Sequence, residues 1–392
     1  MKYPYYSPNF RLKDLFRSLT MSKKDAEKTI INYFSKLTGK KYVLITNSCR
    51  TALYLAYKAV GATGEVITSP LTCKVAIDPI IESGNVPVYA DIEIGTLNIR
   101  ANDIEHRITP ACKYLQVIHL GGISCDMDEI MKIAEKHNLH VIEDCAQSLG
   151  AKFKGGYTGS FGDIACFSLI KNAYGIGGGI FATNNIEYYK RASLEAENFR
   201  NTSKLLTWFR IVRNLSESKR NTVWGAFLYN RIIRLKGNHK NYSSVHNQLC
   251  TPSLIAIRIS AIQLIKGASL RSKRIMLGNQ YMDMLKREGL ITQNIDVYGD
   301  SSFTKFFIYN PAINSRSLLR RLHNVGIEVM HLEQSASCYY QDKIVNDSLF
   351  SIDLPNYFAV HDCLISLPIV EGYNQKDLKD IVSKLKMNLN GD

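Results

Sequence analysis

Short apolar runs alternate with helix-period stretches from Tyr42 to about Asn184, and this rhythm sets the expected architecture. Tyr42-Val43-Leu44-Ile45 reads as a strand, stopped by the polar Thr46-Asn47-Ser48. Leu53, Ala56, Tyr57 and Val60 then recur at i, i+3, i+4 and i+7, which is one face of a helix. Glu65-Val66-Ile67 and Val86-Pro87-Val88-Tyr89 read as strands flanking a helix, and Leu115-Gln116-Val117-Ile118 as another strand. Asp126 is an N-cap type ahead of a helix marked by Met127, Ile130, Met131 and Ala134. Further strands are expected at His140-Val141-Ile142, Ile164-Ala165-Cys166-Phe167 and Gly179-Ile180-Phe181-Ala182. Such alternation predicts an α/β chain with a mostly parallel central sheet covered on both faces.

The rhythm breaks near Glu195. From there to about His246 lie amphipathic pieces, Leu205-Leu206-Thr207-Trp208-Phe209 and Phe227-Leu228-Tyr229 with Ile232-Ile233, and both tryptophans, Trp208 and Trp224. After Pro252 a long helix is expected from Ser253 past Arg274. A second alternation follows: strand Phe306-Phe307-Ile308-Tyr309, helix Ser315 to His323, strand Ile327-Glu328-Val329, and a last helix after Asn374. At 392 residues the chain exceeds one ordinary core. The expected division is a large domain over 1–199, a basic, tryptophan-containing insertion over 200–246, and a smaller C-terminal α+β domain over 247–392.

Composition changes this picture in two places. The formal charge is +14, yet ten basic residues against one acid, Glu217, lie between Arg200 and Lys240. The rest is mildly basic, so no nucleic-acid partner is expected. The nine cysteines form no CxxC pair and have no histidines at metal spacing, so no metal site is expected. Cys145 and Cys166 sit inside apolar runs, where a reduced thiol acts as a small hydrophobe. An odd count without a framework points to a reducing compartment. Neither a signal-length apolar start nor a run of about 18 apolar residues is present, and a cytoplasmic location is expected.

Lys171 ends the stretch Phe167-Ser168-Leu169-Ile170-Lys171-Asn172, just before the glycines of 175–179 and downstream of Glu143-Asp144-Cys145-Ala146-Gln147. Alone, it reads as a surface lysine, and Asp144 as a helix cap or a magnesium-type carboxylate. Together, beyond the carboxyl ends of parallel strands, they suit pyridoxal phosphate. An amine must condense with the cofactor aldehyde, and a carboxylate must keep the pyridine nitrogen protonated. Gln147 is placed to hydrogen-bond the ring's phenolic oxygen. Thr46-Asn47-Ser48-Cys49-Arg50 joins a strand to a helix, whose N-terminal N–H groups suit a phosphate monoester. Plain capping by Ser48 fits that turn equally well. Ser168 adds a hydroxyl nearby. The glycines at 175–179 precede a strand, so they are no dinucleotide fingerprint; they allow a close backbone approach or a sharp turn.

These blocks resemble the DegT/DnrJ/EryC1/StrS sugar aminotransferases, which have fold type I, the aspartate-aminotransferase fold. The resemblance runs from about Lys24 to Met387, apart from the basic segment. It is carried by Val141–Gly150 with Glu143-Asp144 and Ala146-Gln147, and by Phe161-Gly162-Asp163-Ile164-Ala165-Cys166-Phe167-Ser168 followed by Lys171-Asn172. His119-Leu120, Asp126-Met127-Asp128, Gly178-Gly179 and Leu367-Pro368 support it. It implies that Lys171 forms the Schiff base, Asp144 partners the pyridine nitrogen and Gln147 binds the ring hydroxyl. It further implies that Ser168 and the Ser48–Arg50 turn hold the phosphate of pyridoxal 5'-phosphate. An amino acid, usually glutamate, would donate its amine to a nucleotide-linked keto-sugar in polysaccharide or related biosynthesis, within a homodimer.

The chain departs from the family in places. Cys49-Arg50 replaces a small residue and threonine, and Cys73 stands where many members stack an aromatic on the cofactor. The serine-to-lysine spacing is shorter by about two residues. The asparagine that crosses from a second subunit aligns with Leu249, with Asn247 as its substitute. A sugar dehydratase of the same fold is the nearest rival, but there a histidine replaces the lysine. A non-catalytic regulatory member is a second rival. The cations and aromatic residues of 200–240 suit either a packed lid or peripheral contact with the inner membrane face.

Overall fold

The computed structural model describes residues 2–219, 249–294, 298–309, 315–331 and 353–389. Its helices are α1 (Leu12–Thr20), α2 (Lys23–Thr38), α3 (Cys49–Val60), α4 (Lys74–Glu82), α5 (Ala101–His106), α6 (Met127–His137), α7 (Ile186–Glu197), α8 (Lys204–Glu217), α9 (Leu254–Arg287), α10 (Ser315–Asn324), α11 (Pro355–His361) and α12 (Gln375–Leu389). The large sheet uses β1 (Tyr42–Thr46), β2 (Glu65–Thr68), β3 (Val86–Tyr89), β4 (Cys112–Ile118), β5 (His140–Asp144), β8 (Ile164–Ser168) and β9 (Gly179–Thr183). Two short ribbons pair β6 (Lys152–Phe153) with β7 (Gly156–Tyr157), and β10 (Arg200–Asn201) with β11 (Cys250–Thr251). The small sheet joins β12 (Ile291–Thr292), β13 (Phe306–Tyr309), β14 (Met330–His331) and β15 (Leu364–Leu367).

In the large sheet the order is β1-β9-β8-β5-β4-β2-β3. Only β9 runs against its neighbours, so the expected mostly parallel sheet is present. Alternate residues of one strand serve opposite faces. Ile164 and Cys166 pack with α3, while Ala165 and Phe167 pack with Ala26, Ile30 and Phe34 of α2. With both faces covered, the strands need no polar side and read as continuous apolar runs. Asp126 does cap α6, accepting the Glu129 N–H at 3.3 Å, and Ser253 caps α9.

One helix serves two cores. Ile257, Ala261 and Leu264 of α9 pack into the large-sheet core, and Leu277, Tyr281 and Leu285 pack into the small one. The small sheet is antiparallel throughout, in the order β12-β13-β15-β14. The strand expected at Ile327-Glu328-Val329 is displaced. Tyr3 bridges Ile327, and the Glu328 N–H donates to Tyr3 O at 3.0 Å. The amino-terminal segment uses those groups, and β14 forms later, with Met330 opposite Ser366.

Of the basic segment, α8 is described and its continuation over 220–248, including Trp224, Phe227 and Asn247, lies outside the described residues. Ile211 of α8 is buried with Phe10 and Ile259, but Leu205, Trp208 and Val212 are exposed. Leu249 is half-buried against the α3 core. Among the described residues no helix is long and apolar enough to cross a membrane.

Candidate active site

Parallel strands deliver their carboxyl ends to one crevice. Asp144, the last residue of β5, is in register with Ile118 of β4 and Cys166 of β8. Lys171 follows the end of β8 in a loop that returns to β9. That loop is tied by Leu169 N–H to Gly178 O (3.0 Å), Gly175 N–H to Leu169 O (2.7 Å) and Gly178 N–H to Asn47 O (2.8 Å). Gly178 has φ +110°, where a side chain would be strained.

The glycine run allows a close approach, and its partner is the chain itself. A Cβ on Gly179 would lie 2.3 Å from Ser48 C and 2.4 Å from Cys49 N, both backbone atoms. Ser48 bridges Gly178 while Ser168 pairs with Gly179, so the two serines flank one dipeptide. Gly179→Ala is therefore expected to cost about 1–3 kcal/mol through overpacking against backbone. A thermal melt that matches wild type would contradict this packing.

Asp144 is almost fully buried and carries an unequal load on its oxygens. Oδ1 accepts the Ala146 N–H at 2.9 Å and faces the Cys49 thiol at 3.8 Å. Among the described residues no donor reaches Oδ2. Burial pushes the Asp144 carboxyl above its ordinary range, and the Lys171 charge pulls the other way. Burial, then the Asp144 charge, push the Cys49 thiol well above its ordinary range while Lys171 again pulls the other way, so it stays neutral. The Cys49 side chain thus faces Asp144, and what it offers at the start of α3 is its backbone N–H.

Around this pair the remaining expected residues take definite places. Ser48 caps α3, with its Oγ accepting from Thr51 N–H at 3.1 Å. Arg50 sits half-buried in the first turn of α3, and Cys73 is the half-buried N-cap of α4. Gln147 Oε1 accepts the Gly121 N–H at 3.1 Å, and its Nε2 has no partner among the described residues. Ser168 Oγ accepts the Ile170 N–H at 3.4 Å. Glu143 belongs to the scaffold: it accepts from Gly159, Phe161 and Gly162 N–H groups and meets His119 Nε2 at 3.2 Å. Burial opposes its charge, yet His119 and those N–H groups together hold it below the usual carboxylate range.

The loop after β8 is also held by α9 and the segment after β15, through residues that no sequence block singled out. Arg274 of α9 meets Glu371 at 2.5 Å, and also donates to Asn172 Oδ1 and to the Tyr174 hydroxyl. Tyr174 donates in turn to Glu371 and holds φ +51° in the Lys171 loop. Asn172 Nδ2 donates to Thr304 Oγ1, next to Lys305 at the head of β13. Arg274 and Glu371 lie too far from the motif blocks to be read with them. Lys305 had a signal that was passed over: like Lys171, it is a cation at the polar end of an apolar strand.

Residues 10–213 match the DegT/DnrJ/EryC1/StrS aminotransferase family, and that span holds Asp144, Gln147, Ser168 and Lys171. The chain belongs to this family. It is an aminotransferase of fold type I, and its cofactor is pyridoxal phosphate. It is 27% identical to the spore coat polysaccharide biosynthesis protein SpsC of Bacillus subtilis, over 90% of this chain and 87% of that protein. It is 35% identical to the GDP-perosamine synthase of Escherichia coli O157:H7, over 49% of this chain and 56% of that one. Its fold matches Helicobacter pylori PseC, an aminotransferase involved in the biosynthesis of pseudoaminic acid, with a TM-score of 0.79 at 19% identity over the whole of both chains.

The residues present fit the cofactor on their own terms. On the buried Asp144, a carboxylate oxygen without a donor among the described residues suits a protonated ring nitrogen. The unpartnered Gln147 Nε2 suits an electron-rich ring oxygen. The first N–H groups of an α-helix have no partner within the helix, and α3 opens beside Ser168 with such groups.

Proposed function

We propose that this aminotransferase moves an amino group from an amino acid, L-glutamate, to a nucleotide-linked keto-sugar during polysaccharide or related amino-sugar biosynthesis. The observation that carries the reading is the Lys171 amine beside the buried Asp144 carboxylate at adjoining strand ends. Likeness to a GDP-perosamine synthase and to a spore coat polysaccharide protein supports a sugar acceptor. We further propose that a second copy completes the crevice. The exposed Leu205, Trp208 and Val212 of α8 support an added contact there.

Pyridoxal phosphate supplies an aldehyde that condenses with amines and a ring that accepts electrons. The protein supplies the rest. Asp144 would hold positive charge at the ring nitrogen. Gln147 Nε2 would donate to the ring oxygen. The start of α3, with Ser168, would hold the phosphate. Lys171 Nζ, whose charge acts on Asp144, would take a proton from the donor's reacting carbon and return one to the acceptor's.

Asp144→Asn keeps the shape and removes the charge. Amine transfer is expected to fall about 10²- to 10³-fold, the scale of losing one electrostatic partner in a closed site. Stability should move the other way. Because burial raises the Asp144 pKa, its ionised form disfavours the folded state at neutral pH, and the protein gains stability as pH falls toward that raised pKa. The cofactor-free Asn variant should therefore melt higher than wild type at pH 7. A variant that is fully active, or that melts lower, would contradict the assignment. The overall reading is tested by offering glutamate with a panel of keto-sugar nucleotides and following amine gain by mass spectrometry; transfer to none of them would sink it.

A further inference from the structure

Lys305 is fixed from several sides. Its N–H donates to Gly121 O at 3.1 Å, and the Gly121 N–H donates to Gln147 Oε1 at 3.1 Å. Ser302 Oγ donates to Gln147 O at 3.1 Å, and Thr304 Oγ1 accepts from Asn172, the residue after Lys171. These ties hold the head of β13 against the crevice that contains Lys171 and Gln147. The ammonium lies 5.9 Å from the Phe307 ring centroid, and among the described residues no carboxylate pairs with it. Burial first, then the Lys171 charge, lower its pKa to about 8, and only Cys73 acts against them.

Lys171 has the Asp144 carboxylate acting on it, but Lys305, set near a second cation, has no carboxylate partner among the described residues; that is costly, and an incoming anion relieves the cost. Four anionic groups can enter the proposed reaction, and one of them, the γ-carboxylate of glutamate, stands three bonds away from the reacting carbon. The cofactor phosphate has its place at the start of α3. The diphosphate of a nucleotide sugar is separated from the aminated carbon by the sugar ring. The donor's α-carboxylate, by contrast, is bonded to the very carbon whose proton Lys171 moves, so it must lie beside Lys171. We infer that Lys305 is the cationic anchor for the α-carboxylate of the amino donor, an inference that rests on the amine-transfer reading above. The sugar acceptor carries no such group and does not use it.

The test is calorimetric binding of glutarate, an unreactive dicarboxylate, to the cofactor-loaded protein, alongside KM for glutamate and for a keto-sugar nucleotide. Lys305→Met is expected to weaken glutarate and raise the glutamate KM about 10- to 100-fold, the range of a charge-assisted hydrogen bond. The keto-sugar KM should stay unchanged, and Lys305→Arg should retain most of the donor affinity. The groups facing Lys305 are Lys171 from the loop after β8 and Cys73 from the head of α4. Losing its proton removes the attraction, so wild-type glutarate affinity should fall as pH rises through about 8. The Arg variant should hold its affinity across that range. Equal glutarate binding by Lys305→Met and wild type, or donor and acceptor KM rising together, would overturn the inference. If glutarate binding follows Lys305 but no amine moves, the anchor stands and the reaction falls. If amine moves and the donor KM ignores Lys305, the reaction stands and the anchor falls.

Discussion

Lys171→Ala is expected to lose amine transfer by at least about 10⁴-fold, the upper range for removing a positioned acid–base group. The effect should be larger still if the same amine also forms the covalent link to the cofactor. The variant should nonetheless fold. Lys171 is half-buried, and among the described residues its side chain makes no hydrogen bond or ion pair, so losing its pull on the Asp144 carboxylate should cost no more than about 0.5–3 kcal/mol. Lys305 should not replace it, because its backbone is held by Gly121 at the head of β13 rather than in the loop after β8. The check is a rate measurement with a visible-range absorbance scan after cofactor addition. Wild type should develop a band that glutamate shifts, and the alanine variant should not. An alanine variant that retains both rate and band would place the chemistry elsewhere.

The second large effect is on stability. Arg274 and Glu371 are nearly fully buried, and their 2.5 Å contact joins α9 to the segment after β15. Glu371→Gln leaves the guanidinium buried without its counter-charge, which costs about 3–5 kcal/mol when one partner of a buried pair is removed. Against a total stability of about 5–15 kcal/mol, that is a large fraction. The damage should reach the site. Tyr174 keeps its φ of +51° while its hydroxyl is held by this pair, and Asn172 takes its orientation from the same arginine. A melting curve lowered by several degrees, with slower amine transfer, is the expected outcome. Replacing both partners with Met and Leu should recover much of the stability without the activity, since apolar isosteres avoid stranding a charge. An unchanged melt for Glu371→Gln would show that the pair carries little.

How far this could be read from the chain depended on the range of the interactions. The large sheet was readable because β4, β5, β8 and β9 are covered on both faces, which makes each a local apolar run. Asp126 was readable as a cap because capping acts within three residues. The Asp144–Lys171 pairing was readable through two motif blocks whose strands lie side by side. Long-range choices were not. Whether Val329 or Met330 begins a strand depends on Tyr3, which pairs with Ile327. The purpose of Gly179 depends on a backbone turn at Ser48 and Cys49, far away in sequence. That the Cys49 thiol meets Asp144 depends on β5 lying against the start of α3. Arg274, Glu371 and Lys305 come from separate elements that meet only when the small sheet docks.

The account turns on which amine binds the cofactor. Reducing the loaded protein with borohydride, digesting it and locating the labelled peptide by mass spectrometry decides this directly. A label on Lys171, lost in Lys171→Ala and retained in Lys305→Met, is the predicted result. A label on Lys305, or none on either lysine, would contradict it.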